Sequence, residues 1–320
     1  MYSEEDFRKA QESIKDYIEH YSLKYSEWLS TELEAEVYLK LECFQPGRSF
    51  KIRGATNSLV SQKPKPTRVI TASGGNHGVG VATIANKLNI PSLIVLPEGT
   101  SEYRIRILEE IGSQTFIIGN SWDDSNNYAI RLAKSENSLY IHAFADPLVI
   151  QGQGTVAVEI MDEINEIDAI VASVGGGGLL TGISLAVEAF AKQKEISLYA
   201  VETQGANCLN ESLKEDKLVE LAAITSIAKT LGARKMSEFN FRTLQRMLTN
   251  SYVVSDRDAV KSLIDFLNNE KILVEPAMSC IITALFQNKE EFKGKKIVIV
   301  VCGSNVTFNE VEKWKNEIIE

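Results

Sequence analysis

A chain of 320 residues, 44% hydrophobic and 24% charged, buries roughly three quarters of its unfolded surface and needs no disulfide or structural metal to fold. Its net charge of −9 argues against nucleic acid and anionic membrane as partners, because both reward basic patches. The four cysteines (Cys43, Cys208, Cys280, Cys302) form no CxxC pair and read as free thiols in a reducing compartment, with the cytoplasm as the default.

The opening "MYSEEDFRKA" is too acidic for a signal peptide, and no apolar run approaches the ~20 residues that cross a bilayer. Residues 3–22 space Phe7, Ile14, Tyr17 and Ile18 as an amphipathic helix, and "EVYLKLEC" (36–43) alternates as a strand. "TRVITAS" (67–73) is a strand that runs into "GGNHG" and the helix "VGVATIANKL". "SLIVLP" (92–97) reads as a buried strand, "SEYRIRILEEIG" (101–112) as a helix stopped by glycine, and "QTFIIG" as a further strand. "SWDDSNNYAIRLAKSE" is a helix with Ser121 as its N-cap.

The second half repeats the alternation. A helix over 152–166 precedes the strand "DAIVASV" (168–174), the run "GGGG" and the helix "LLTGISLAVEAFAK". "SLYAVE" is a strand, "DRDAVKSLIDFLNNE" a helix, "KKIVIVVCG" (295–303) a final strand and "NEVEKWKNEIIE" a closing helix. This order implies an α/β fold with parallel sheets and crossover helices in two units. Since only a closing helix follows the last strand, no C-terminal regulatory domain is expected.

"SVGGGGLLTG" (173–182) carries the strongest physical signal. Four glycines between a buried strand and a helix expose backbone N–H groups at a positive helix end, which suits an anion and above all a phosphate. A tight turn is the other reading, although one or two glycines would serve it. The run is neither GxGxxG nor a P-loop, so the phosphate need not belong to a nucleotide. "ASGGNHGVG" (72–80) is a second such turn, in which Ser73 and Asn76 suit a carboxylate or an oxyanion. A structural turn accounts for it equally well.

In "GRSFKIRGATN", Lys51 lies between Phe50 and Ile52. Taken alone it reads as a solvated strand end. Beside two anion-binding turns it reads as an amine kept neutral by apolar neighbours, able to form a Schiff base with pyridoxal phosphate. The histidines His20, His77 and His142 make no HxxxH or HExxH pattern, and no GxSxG elbow accompanies them.

"LKLECFQPGRSFKIRGA", "ASGGNHG", "SVGGGGLL" and "VCGSN" stand in the order and spacing of fold-type II pyridoxal-phosphate enzymes. The chain resembles the serine/threonine dehydratase branch over nearly its whole length. "ITSIAKTLGA" (224–233) and "KILVEPA" (271–277) look most like the L-serine dehydratase (L-threonine ammonia-lyase) group.

The resemblance implies a tryptophan-synthase-β-like fold with a large cofactor-binding domain, residues 1–45 and 149–320, and a small inserted domain, residues 46–148. It implies Lys51 as the Schiff-base lysine and proton shuttle, Phe50 against the pyridine ring and Asn76 on its 3′-oxygen. Gly175, Gly176, Gly177 and Gly178 would hold the phosphate, and Cys302 would face the ring nitrogen. Ser73, Gly74, Asn76 and His77 would frame the substrate carboxylate. Glu202, with the carbonyls of Ala206, Leu231 and Ala233, would form a cation site; Cys208 replaces the aspartate of the racemase pattern, which favours potassium over magnesium.

Similar racemases carry a serine where this chain has Gly74, so elimination from L-serine or L-threonine is expected ahead of racemisation. The alternatives are a racemase or β-replacement synthase of the same fold, or a non-catalytic amino-acid-binding relative. The family's habit implies a homodimer. Two departures, Arg48 in "QPGRSFK" and "YSL" (21–23) in place of "TPL", bear on substrate choice; Arg48 is placed to answer an acidic side chain.

Overall fold

Short Val-, Ile- and Ala-rich runs bounded by turn residues become strands, and those flanked by helices are buried on both faces. The computed structural model describes residues 2–190 and 196–319. Its strands are β1 (Lys24–Tyr25), β2 (Glu36–Lys40), β3 (Val69–Ala72), β4 (Ser92–Leu96), β5 (Gln114–Ile117), β6 (Leu139–Tyr140), β7 (Ala169–Ser173), β8 (Ser197–Thr203), β9 (Asn250–Val254) and β10 (Lys296–Val300).

They form two sheets, one of six strands in the order β1-β2-β10-β7-β8-β9 and one of four in the order β5-β4-β3-β6. Only the β1–β2 pairing is antiparallel; every other neighbouring pair runs parallel. The four-stranded sheet is drawn wholly from residues 69–140, and the chain on either side of it builds the six-stranded one.

The core follows this division. A large apolar cluster surrounds β2, β7, β8 and β10. Period-two alternation splits the smaller sheet, so that Val69, Ile94 and Leu96 face one cluster while Ile70, Ala72, Leu93 and Val95 face another. β5 closes that sheet as an edge, with Phe116 and Ile117 exposed. Among the described residues no helix is long and apolar enough to cross a membrane.

Several boundaries differ from the expected ones. The first helix is Glu4–Ile14, shorter than residues 3–22, although Ser3 and Asp6 close a capping box at its start. The helix expected over 152–166 begins earlier, at Pro147, because Asp146 caps it and proline fits its first turn. Residues 191 and 192 of "LLTGISLAVEAFAK" and Glu320 of the closing helix lie outside the described residues. Lys51 does not end a strand but begins the helix Lys51–Val60.

Candidate active site

Three strand ends meet at one place. Ser73 follows β3, Val174 and the glycine run follow β7, and Cys302 follows β10, so the carboxyl ends of both sheets open on a common crevice. The cavity there has a volume of about 530 Å³. Phe50, Lys51, Ser73, Gly74, Asn76, His77, the four glycines 175–178, Leu231, Ala233 and Cys302 all line it. Residues more than 250 positions apart are thus gathered around one volume of ligand size.

Lys51 projects from the first turn of its helix, and its Nζ donates to the carbonyl of Ala143 at 2.8 Å. Nζ also lies 5.2 Å from the centre of the Phe50 ring. Burial lowers the amine's pKa from its ordinary 10.5 to about 8, against a smaller opposing effect of Cys302. Ile52 does not share in this: one residue on along a helix it turns away, into the core beneath the four-stranded sheet.

The glycine run opens the helix Gly178–Phe190. Its carbonyls are engaged, Gly176 O accepting from Asn240 Nδ2 at 2.7 Å and Gly175 O from the Cys208 thiol at 3.7 Å. Among the described residues the N–H groups of Gly175, Gly176 and Gly177 find no acceptor. Side chains are excluded here by packing, since a Cβ on Gly176 would lie 2.2 Å from the Phe144 ring. At Gly177 a φ of +86° adds a conformational reason for glycine. Three unpaired donors beside a helix N-terminus, an amine and aromatic walls fit a phosphorylated aromatic aldehyde such as pyridoxal phosphate.

Asn76 begins the helix Asn76–Lys87 and is almost fully buried. His77 is buried beside it, and its Nε2 lies 3.2 Å from the carbonyl of Ile141. Because a carbonyl only accepts, Nε2 carries the proton and the unpartnered Nδ1 is a bare acceptor. Burial, with Lys51 nearby, lowers this imidazole's pKa to about 3, so it stays neutral. Its side chain offers a carboxylate nothing; donation at this turn falls to the N–H groups of the helix start and to Ser73. The Cys302 thiol, pushed up to about 12 by burial and by Glu275, is neutral and lies 3.6 Å from Ser73's counterpart in the large sheet, the hydroxyl of Ser173.

Glu202 and Ala206 do not line the cavity, whereas Leu231 and Ala233 do. Glu202 is fully buried on β8, and its two oxygens accept from the N–H groups of Leu209 (3.0 Å) and Asn210 (2.7 Å). Burial raises its carboxyl from the ordinary 4.5 to about 8 against the pull of those N–H groups. Arg48 does not line the cavity either: its carbonyl accepts from Ser304 N–H, and its backbone takes a φ of +60°. The guanidinium that does reach the cavity is Arg104, whose Nη1 donates to the carbonyl of Gly74 at 3.2 Å.

The sequence of residues 14–303 matches the family described as "Pyridoxal-phosphate dependent enzyme". The chain belongs to this family. Among the family's characterised members, an L-threonine ammonia-lyase of Thermotoga maritima is 31% identical over 319 residues, covering 99% of this chain and 79% of that protein. An L-serine dehydratase of Dictyostelium discoideum is 34% identical over 298 residues, 87% of this chain and 85% of that one. In structure, maize serine racemase superposes with a TM-score of 0.91 at 27% identity, covering 99% of this chain and 98% of that chain. The family's cofactor is the phosphorylated aldehyde that the amine and the unpaired N–H groups of this cavity fit.

Sequence reasoning missed four residues that build the site. Asn240 holds the glycine turn by donating both to Gly176 O and to Phe144 O, at 2.7 and 2.9 Å. Glu275 is bonded by Thr230, which lines the cavity, and Arg104 lines it as well. Glu275 lies inside the quoted "KILVEPA", so its position was visible, though its partners, 45 and 199 residues away, were not.

Proposed function

We propose that the protein eliminates the hydroxyl of L-serine or L-threonine, giving a 2-oxo acid and ammonia. The observation that carries this reading is the pairing of a partly discharged amine, Lys51, with a glycine at position 74, in one cavity. Lys51 is the group that removes the proton at the substrate's α-carbon. Gly74, which lines the same cavity, has no side chain to deliver a proton, so the amino acid's configuration is not inverted by it.

When bound, the cofactor supplies an electron sink for the charge left at the α-carbon. The N–H groups of Gly175, Gly176, Gly177 and Gly178 would hold its phosphate, Phe50 would pack against its ring and Asn76 would bond its 3′-oxygen. The neutral Cys302 thiol brings no charge to the ring nitrogen. The helix start at Asn76 and the Ser73 hydroxyl would bind the substrate carboxylate. Relatives named L-threonine ammonia-lyase and L-serine dehydratase support the same reaction.

To the same reading belong a small domain of residues 46–148 inserted in a large one, a homodimer, a cytoplasmic location, and potassium held by Glu202 with the carbonyls of Ala206, Leu231 and Ala233. A second substrate class is favoured by one observation: among the described residues Arg104, which lines the cavity, has no carboxylate partner. A hydroxy amino acid with a second carboxylate would supply one.

The test offers the pyridoxal-phosphate-loaded protein L-serine, L-threonine and 3-hydroxyaspartate separately, with potassium present, and measures the 2-oxo acid released. Pyruvate or 2-oxobutyrate is expected; oxaloacetate in excess over both would move the substrate to the acidic class. Inverted amino acid without any 2-oxo acid would replace elimination by racemisation.

A further inference from the structure

Glu275 precedes the helix Pro276–Gln287 in the chain that builds the six-stranded sheet, and its carboxylate is buried. Asn76 belongs to the helix that follows β3 of the other sheet. Asn76 Nδ2 donates to both carboxylate oxygens of Glu275, at 3.0 and 3.2 Å. The carboxylate is itself held, because Thr230 Oγ1 donates to one oxygen at 2.7 Å and Asn305 N–H to the other at 2.8 Å. Asn305 closes the ring: its Nδ2 donates to Asn76 Oδ1 at 2.6 Å and to Gly47 O at 2.9 Å.

These contacts leave the Asn76 amide one orientation. Its oxygen faces a donor that cannot accept, and its nitrogen faces a carboxylate that cannot donate. A flip would put oxygen against carboxylate and N–H against N–H. A primary amide has two N–H donors, so one remains for the cavity that Asn76 lines. Buried, well-partnered groups of this kind keep one geometry because each alternative leaves a polar atom unsatisfied.

We propose that Glu275 is a positioning residue that acts through Asn76: it fixes the amide so that one N–H points to the bound cofactor's ring oxygen, and it ties the two sheets together across the cavity. The acceptor oxygens of Glu275 are what matter for this, more than its charge. The role rests on the family's cofactor and is independent of which amino acid is consumed.

The experiment titrates apo-protein with pyridoxal phosphate and reads the dissociation constant from the cofactor's absorption and from quenching of tryptophan fluorescence, for wild type, Glu275→Ala, Glu275→Gln, Asn76→Ala and the double variant Asn76→Ala/Glu275→Ala. Loss of one positioned hydrogen bond weakens binding about tenfold. Glu275→Ala and Asn76→Ala are each expected to show that loss, and the double variant no more than either alone. Glu275→Gln, which keeps an acceptor for Asn76, is expected within about twofold of wild type.

Additive losses, or a Glu275→Ala constant equal to wild type, overturn the proposal and leave the functional reading standing. A Glu275→Gln loss as large as that of alanine also overturns it, by assigning the effect to charge. Should Glu275→Ala not fold, a Glu275→Gln loss as large as that of Asn76→Ala overturns the proposal. A wild-type protein that takes up no cofactor removes both readings.

Discussion

Arg53 and Glu159 pair inside the contact between the helices Lys51–Val60 and Pro147–Glu163, with both side chains sealed from solvent. The guanidinium forks, reaching Glu42 with Nε and Nη2 at 2.7 and 2.8 Å, and Glu159 with Nη1 and Nη2 at 2.7 and 2.8 Å. Glu159 is shared with the buried ammonium of Lys40. Two cations and two carboxylates thus lock the helix that carries Lys51 to β2 and to its neighbouring helix.

Arg53→Ala is expected to destabilise the protein by about 3–5 kcal/mol in chemical denaturation, because it strands the buried Glu42 carboxylate and leaves Glu159 with Lys40 alone. Arg53→Lys should recover only part of this, since an ammonium cannot fork to both partners. Burial alone would raise the Glu159 carboxyl, but Arg53 and Lys40 outweigh it and bring it to about 2. The network's contribution is therefore present above the ordinary carboxyl range and lost as pH falls towards 2. A denaturation midpoint indifferent to Arg53→Ala would mean that the network contributes nothing.

Lys51 sets a pH dependence for cofactor uptake. Only the neutral amine attacks an aldehyde, and the folded protein releases the proton near pH 8, where a solvated lysine would keep it to 10.5. The rate of uptake by apo-protein should rise about tenfold per pH unit below 8 and level off above it. Lys51→Ala should bind the cofactor without the shifted absorption of the attached form. A rate still climbing at pH 10 would show that the amine is not discharged by its surroundings.

The proposal that Glu202 holds potassium carries its own pH dependence. With its carboxyl raised to about 8, a cation must displace a proton at neutrality but not at higher pH. The gain in melting temperature from potassium chloride should be larger at pH 9 than at pH 6.5 and absent in Glu202→Ala. Tetramethylammonium chloride at equal ionic strength is the control; equal gains in both salts would remove the cation site.

Gly74→Ser tests whether the missing side chain at position 74 is what prevents inversion. The new Cβ would lie 3.2 Å from Thr100 Cγ2 and 3.4 Å from Leu96 Cδ2, a tight fit that a small shift relieves. The variant should fold, keep elimination and begin to invert serine, read by chiral separation of the amino acid left after partial reaction. Inversion of equal extent in the wild type would mean that another residue delivers the proton.

The parallel sheets were legible because β3, β4, β7 and β10 are short runs dominated by apolar residues, and the turn after β7 because a tight turn alone would need one or two glycines rather than four. The helix starting at Lys51 was not legible. Its residues "KIRGATNSLV" mix glycine, threonine and asparagine, poor helix formers that only tertiary packing makes helical. Arg48 drew attention as a neighbour of Lys51 in sequence, yet Arg104 is the arginine at the cavity. Neighbours along a chain diverge at a turn, while residues some 50 positions apart converge at strand ends. For the same reason the sequence shows Glu275 but not the partners that the fold brings to it.

That Lys51 is the leading residue of a ten-residue helix has an electrical consequence. The start of a helix carries about half a positive elementary charge from its aligned peptide dipoles. Such a field repels an ammonium and welcomes a lone pair, adding to the effect of burial in the same direction. One turn further along, the same side chain would feel little of it. The position that aims the amine into the cavity thus also helps to strip its proton, and an extra residue inserted between Phe50 and Lys51 would disturb reach and basicity together.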